Sequence, residues 1–227
     1  MPRYFPPPES ANEDGILGFT EGLSTGLLLD AYRHGIFPWP FWGNGEPIPW
    51  CSPDPRAVFE FDDIHISRRL LRTLRSGRFS ATCDCEFESV MRACAESRQP
   101  ESETWITGEM TAVYCQLHEL GHAHSVEVWR ESELVGGIYG VTVGALFAGE
   151  SMFYRERDAS KVALIHLAHH LESRGYLLFD IQQWTEHTGR MGAGEVSRDE
   201  YLRRLAEAVE VPVTFGDELI PWTTTDR

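Results

Sequence analysis

The chain has 227 residues, 42% of them hydrophobic and 24% charged, with a formal net charge of -15; that is enough for one large domain, or a modest one with a smaller unit attached, and no metal is needed merely to fold. No apolar run approaches the ~18 residues of a membrane helix, and the acidic balance excludes indiscriminate nucleic-acid binding while suiting cationic partners. Five cysteines, an odd number with no C-x-x-C, read as reduced thiols, and the opening residues MPRYFPPPES lack the apolar core of a secretory signal, so the expected location is the cytosol.

In chain order, residues 1–62 are rich in Pro, Gly and aromatics, with WCSPDPR at 50–56. Only 23–34 reads as helix there, which predicts a small, loop-rich N-terminal domain over 1–62 and a second domain over 63–227. Within 64–75, Ile66, Leu70, Leu71 and Leu74 form an apolar stripe at helical spacing, and Gly77 supplies a stop. Arg68, Arg69, Arg72, Arg75 and Arg78 cluster here with no acid among them, in a chain that is otherwise acidic. Residues 87–95 and 108–120 read as helices, and 125–130, 134–141 and 145–153 as strands. A helix over 159–174, a buried strand over 176–182 and a helix capped near Ser197 complete the order. This pattern predicts an α+β fold of the acetyltransferase-like (GNAT-type) kind with a mixed, largely antiparallel sheet.

Four stretches carry possible chemistry. Residues 136–153 (GGIYGVTVGALFAGESMF) place five glycines and a single acid, Glu150, in an apolar strand pair. Alone, the stretch reads as a tightly packed hairpin, but a carboxylate there needs either a structural ion pair or a cationic ligand. Asp180 and Gln182 project to one side of an apolar strand, because side chains alternate with period two. They read either as a strand end meeting solvent or as a carboxylate that orients an amide to hold an amine. His118-Glu119-Leu120-Gly121-His122 spells H-E-x-x-H, but Gly121 falls where the helix should end, which sends His122 elsewhere and favours capping and packing over zinc. Arg190-Met191-Gly192-Ala193-Gly194 is one residue short of a pyrophosphate loop, which weakens a coenzyme A reading.

Seven motifs in order resemble the leucyl/phenylalanyl-tRNA-protein transferases of bacteria over most of the chain: HGIFPW (34–39), WCSPDPR (50–56), TWI (104–106), LHELGHAHSVEVW (117–129), the 136–153 stretch, ASKVAL (159–164) and FDIQ (179–182). The resemblance implies an aminoacyltransferase that uses no cofactor. Its donor is aminoacyl-tRNA carrying Leu, Phe or, at the margin, Met; its acceptor is a protein beginning with Arg or Lys, which the new N-terminal residue marks for degradation. Asp180 and Gln182 match the catalytic pair, Glu150 an acid assigned to the acceptor, and Trp50 and Trp105 tryptophans near the aminoacyl-adenosine end. Ile138, Phe147, Leu167, Leu171 and Phe179 would line the donor side-chain pocket, although each singly is also an ordinary core residue. The five arginines would grip the tRNA acceptor stem without reading its sequence. No membrane partner and a monomer are expected. Two departures stand out: Thr185-Glu186-His187 where the family commonly has Asn-Asp-His, and Thr20-Glu21-Gly22-Leu23 in place of Gly-Gly-Asp-Leu.

The chemistry implied is a single aminolysis: a neutral α-amine attacks the ester and the tRNA 3' oxygen leaves. On this reading, removing the side chain of Asp180 or Gln182 lowers turnover at little cost to folding. A zinc peptidase, a coenzyme A-dependent acetyltransferase and a non-catalytic RNA-binding module are the competing readings.

Overall fold

The computed structural model of the chain describes residues 4–39, 47–97 and 106–223. Near the N-terminus, β1 (Ile16–Thr20), β2 (Phe37–Pro38) and β3 (Ile48–Cys51) form an antiparallel sheet in the order β1-β3-β2. Between β1 and β2 lies α1 (Thr25–Arg33), which starts where the Ser24 side chain accepts the Leu27 N–H.

The larger sheet has seven strands: β4 (Arg56–Phe59), β5 (Ser80–Cys83), β6 (Ala123–Arg130), β7 (Glu133–Val143), β8 (Leu146–Tyr154), β9 (Leu178–Gln182) and β10 (Gly194–Val196), in the order β10-β4-β9-β8-β7-β6-β5. Strands β5 to β8 make the expected antiparallel meander. Helix α5 (Ala159–Arg174) then carries the chain across, and β9 returns parallel to β8. An antiparallel meander followed by a crossover helix and a parallel strand is the acetyltransferase-like arrangement expected from the element order. Strand β4 lies inside the expected N-terminal segment, yet it pairs with β9 and β10 in this larger sheet.

Helices cover both faces. Residues of α1, α3 (Phe87–Glu96), α4 (Gly108–Glu119) and α7 (Arg198–Ala208) pack with Tyr139, Val141 and Ala148 in one core. Residues of α5 and α2 (Arg68–Arg75) pack with Ile138, Phe147 and Phe179 in the other. Neighbours such as Ile138 and Tyr139 enter opposite cores because a strand alternates its side chains. The start of α2 is set by Ser67, whose hydroxyl caps the Leu70 N–H, so the helix begins at Arg68, two residues after the first residue of its apolar stripe. Among the described residues no helix is long and apolar enough to cross a membrane.

Candidate active site

Strands β8 and β9 pair only from Leu146–Leu178 to Ala148–Asp180, and beyond that point they part. At the parting each carries a β-bulge. Against β7, Gly149 faces Gly140 and Ser151 faces Tyr139, so Glu150 is the extra residue. Against β4, Asp180 faces Val58 and Gln182 faces Ala57, so Ile181 is extra, and Gln182 takes a left-handed φ of 59°. Bulges re-aim side chains; here they turn Glu150 and Gln182 towards each other from neighbouring strands. Gly140 is obligatory beside the first bulge, since a Cβ there would lie 2.3 Å from the Ala148 carbonyl oxygen and 2.5 Å from the Phe147 ring.

The Gln182 side-chain amide donates to Glu150 Oε1 at 3.1 Å. Two tyrosines from the covering helices complete the set: Tyr32 donates to the same oxygen at 2.7 Å and Tyr114 to Oε2 at 3.3 Å, with 2.6 Å between the two hydroxyls. Burial, with the Glu150 charge next in effect, holds both phenols well above their usual range, so they stay protonated donors. Burial also dominates at Glu150 and pushes its carboxyl up to about 7.

Asp180 faces away from this group into full burial. Arg56 grips both its oxygens, Tyr201 donates at 2.9 Å, and the Gln182 backbone N–H donates to Oδ1 at 2.9 Å. Burial opposes the Arg56 charge, but the Asp180 carboxylate more than compensates and keeps the guanidinium charged. Asp180 thus reaches Gln182 through the main chain, and the acid that orients the Gln182 amide is Glu150. This differs from the direct carboxylate-to-amide contact expected from strand alternation, because the bulge at Ile181 and the left-handed turn at Gln182 break that alternation.

Glu150, Ile181, Gln182, Gln183 and Thr185 are shared by two lobes of one cleft. One lobe, of about 260 Å³, is walled by Phe37, Pro38 and Trp39. The other, of about 240 Å³, is apolar at Phe59, Ile138, Met152 and Leu164 and bordered by His187 and Thr188. Thr185 and Thr188 cap each other's turn at the start of α6 (Glu186–Gly189), which fixes this border where the family's Asn-Asp-His triplet is replaced.

Of the expected pocket residues, Ile138 lines the apolar lobe, whereas Phe147, Leu167, Leu171 and Phe179 are buried in the core behind it and border neither lobe. Trp50 has no exposed surface; its indole donates to Thr20 and packs on Phe5, and it is Trp39 that reaches the cleft. Trp105 lies outside the described residues. The two tyrosines, Arg56, Tyr201 and Met152 went unassigned in the sequence, although Trp39 and Arg56 sit inside HGIFPW and WCSPDPR.

The five arginines are all exposed. Arg69 pairs with Asp158 at 2.6 Å and Arg78 pairs with Glu156, whereas Arg68, Arg72 and Arg75 make no ion pair among the described residues. The H-E-x-x-H string breaks as expected: α4 ends at Glu119, and Gly121 turns at φ 75°. His118 instead comes near Asp84 and His124, the three offering ligand atoms within 4.8 Å of one another. The Nδ1 atoms there already meet the Ala123 carbonyl and the Asp84 carboxylate, at 2.8 and 2.6 Å. In the 190–194 stretch, Gly192 lies against the Asp63 backbone, where a Cβ would approach the carbonyl oxygen to 2.1 Å, so this glycine serves packing.

The mixed sheet thus parts around a carboxylate, an amide and an apolar lobe, with the chain crossing in the acetyltransferase-like order. Residues 58–206 match the family described as leucyl/phenylalanyl-tRNA protein transferase, and residues 21–54 match its N-terminal domain. The chain is 49% identical to the leucyl/phenylalanyl-tRNA–protein transferase of Thiobacillus denitrificans, over 97% of this chain and 95% of that relative. It is 47% identical to that of Chromobacterium violaceum, over 92% and 89%. The solved structure of L-PGS from Bacillus licheniformis is 13% identical, over 76% of this chain and 57% of that one, with a TM-score of 0.37. The chain belongs to the leucyl/phenylalanyl-tRNA protein transferase family.

Proposed function

We propose that this chain transfers a leucyl or phenylalanyl group from aminoacyl-tRNA to the α-amine of a protein that begins with Arg or Lys. The observation that carries the reading is the Glu150–Gln182 pair at the junction of the two lobes. The apolar lobe takes the donor side chain. It selects by shape, at roughly 1 to 3 kcal/mol per methylene, and rejects charged side chains through desolvation. Phe37 and Trp39 offer the terminal adenosine a stacking surface, and by the family resemblance Trp105 joins them. Gln182 holds the incoming amine, and Asp180 fixes the Gln182 backbone. The bulk of Phe147, Leu167, Leu171 and Phe179 sets the lobe's rear wall from the core. Arg68, Arg72 and Arg75 grip the acceptor stem, Arg69 and Arg78 adding to the same field while held by Asp158 and Glu156. The three-stranded N-terminal sheet acts as a small unit that presents Phe37 and Trp39 to the second domain.

An aminoacyl ester is already activated, so positioning and electrostatic stabilisation supply the acceleration. The test is incubation with radiolabelled Leu-tRNA or Phe-tRNA and an Arg-initiated peptide, with a Glu-initiated peptide as control. Label should move to the first peptide and not to the second; no transfer to either, with both substrates intact, would remove the reading.

A further inference from the structure

We infer that Glu150 is the base that takes the proton from the acceptor's α-ammonium. This rests on the aminoacyl-transfer reading and gives one cleft residue a catalytic task. At pH about 7 a protein N-terminus is mostly protonated, and an ammonium has no lone pair with which to attack an ester. A group at the cleft that accepts that proton supplies the attacking form where it is used.

Asp180, Gln182 and the two tyrosines are excluded in turn, and His187 borders the apolar lobe but not the other one. Asp180 is fully buried, and its two oxygens already receive Arg56 twice, the Tyr201 hydroxyl and the Gln182 N–H. The Gln182 amide is far too weak a base to hold a proton. Tyr32 and Tyr114 remain protonated, as burial and the adjacent carboxylate require. Glu150 is the carboxylate that borders both lobes. Its Oε1 is taken by Tyr32 and Gln182, while among the described residues Oε2 receives only the long 3.3 Å contact from Tyr114 and keeps capacity for an N–H.

The groups that face Glu150 set its basicity. Burial raises its affinity for a proton, and the Asp180 charge acts the same way; the Tyr32 and Tyr114 bonds and the Arg56 charge oppose it, leaving a carboxyl at about 7. Such a base is about half ionised at neutral pH and strong enough to compete for an ammonium proton. In the reaction, one N–H proton passes to Glu150 and the freed lone pair forms the C–N bond. The ester π pair moves to the carbonyl oxygen. As the tetrahedral species collapses, the C–O bond to the ribose 3' oxygen breaks and that oxygen takes the second proton from the new ammonium. Glu150 then returns its proton to water.

The experiment compares wild type, Glu150→Gln and Tyr114→Phe, using Leu-tRNA and an Arg-initiated peptide across pH 5.5 to 9. Wild-type transfer is measured first; its absence would sink the parent reading and leave nothing to assign. With transfer present, Glu150→Gln should lower kcat by about 10²- to 10⁴-fold at pH 7, and the deficit should shrink with rising pH as the amine deprotonates unaided. Peptide KM should change little. Because the Tyr114 bond holds the carboxyl down, Tyr114→Phe should move the acid limb of the rate profile to higher pH. A Glu150→Gln variant with wild-type kcat, or one that raises only the KM for the peptide, overturns the assignment, and so does an unmoved limb in Tyr114→Phe.

Discussion

Arg56 grips both oxygens of Asp180, at 2.8 and 2.6 Å, with neither side chain more than 1% exposed. A buried pair of this kind resists the loss of one partner more than the loss of both, because a single deletion strands the other charge away from water. Asp180→Ala should therefore lose about 3 to 5 kcal/mol in denaturant unfolding, and activity with it. The double variant Arg56→Met/Asp180→Leu should recover most of that stability and none of the activity. This reverses the sequence-based expectation that Asp180 could be truncated at little cost. An Asp180→Ala protein that unfolds at the wild-type denaturant concentration would refute the buried pair.

Gln182 separates backbone from side chain. Its left-handed φ of 59° suits glycine and penalises branching at Cβ. Gln182→Gly should keep stability to within about 1 kcal/mol, and Gln182→Val should lose about 1 to 2 kcal/mol more. Both should lose turnover to a similar degree, since neither carries the amide. Equal stability of the two, measured by chemical unfolding, would argue against the left-handed turn.

The alternation rule that pairs Asp180 with Gln182 in the sequence is sound for a regular strand, and it points to the strand end that meets the cleft. What it cannot see is the bulge, because Ile181 looks like any other strand residue until β4 lies beside it. The same holds for Tyr32 and Tyr114, 82 positions apart and joined only when α1 and α4 pack over the sheet. The long helix α5, stopped by Gly175, and the meander with its dense β-formers were legible. The two- to five-residue strands near the N-terminus and β10 were not, since runs so short carry no period of their own.

The exposed face of α2 makes a salt prediction. Removing Arg72 or Arg75, which have no ion pair among the described residues, should weaken aminoacyl-tRNA binding and reduce the slope of log affinity against log salt by about one for each phosphate no longer neutralised. Leu-tRNA and Phe-tRNA should suffer alike. Arg69→Ala should cost less, because Asp158 already occupies that guanidinium. Filter-binding titrations over a salt series decide it, and an unchanged slope in the Arg72 and Arg75 variants would take tRNA off this helix.

Acid should loosen the C-terminal segment first. His170 and His166 on α5 accept the backbone N–H groups of Ile220 and Trp222, at 3.0 and 3.1 Å. Burial lowers both imidazoles from 6.5 to about 4, so they are neutral in the fold and would bind protons when released. Their contribution to stability is complete above pH 6.5 and is lost as pH falls through about 4; for fully buried His170 it is worth about 3 kcal/mol. Hydrogen exchange at Ile220 and Trp222 should accelerate between pH 6 and 4, after correction for the intrinsic rate, while β7 and β8 stay protected. Simultaneous loss throughout the sheet would contradict this.

The extra residue at Glu150 means that architecture and chemistry are written at different addresses. Deleting that one position would let β7 and β8 zip together as an ordinary ladder, its neighbours keeping their faces, and the protein would retain its layers while losing its reactive carboxylate. A single inserted codon in an inert hairpin is therefore a short route by which such a scaffold gains a catalyst.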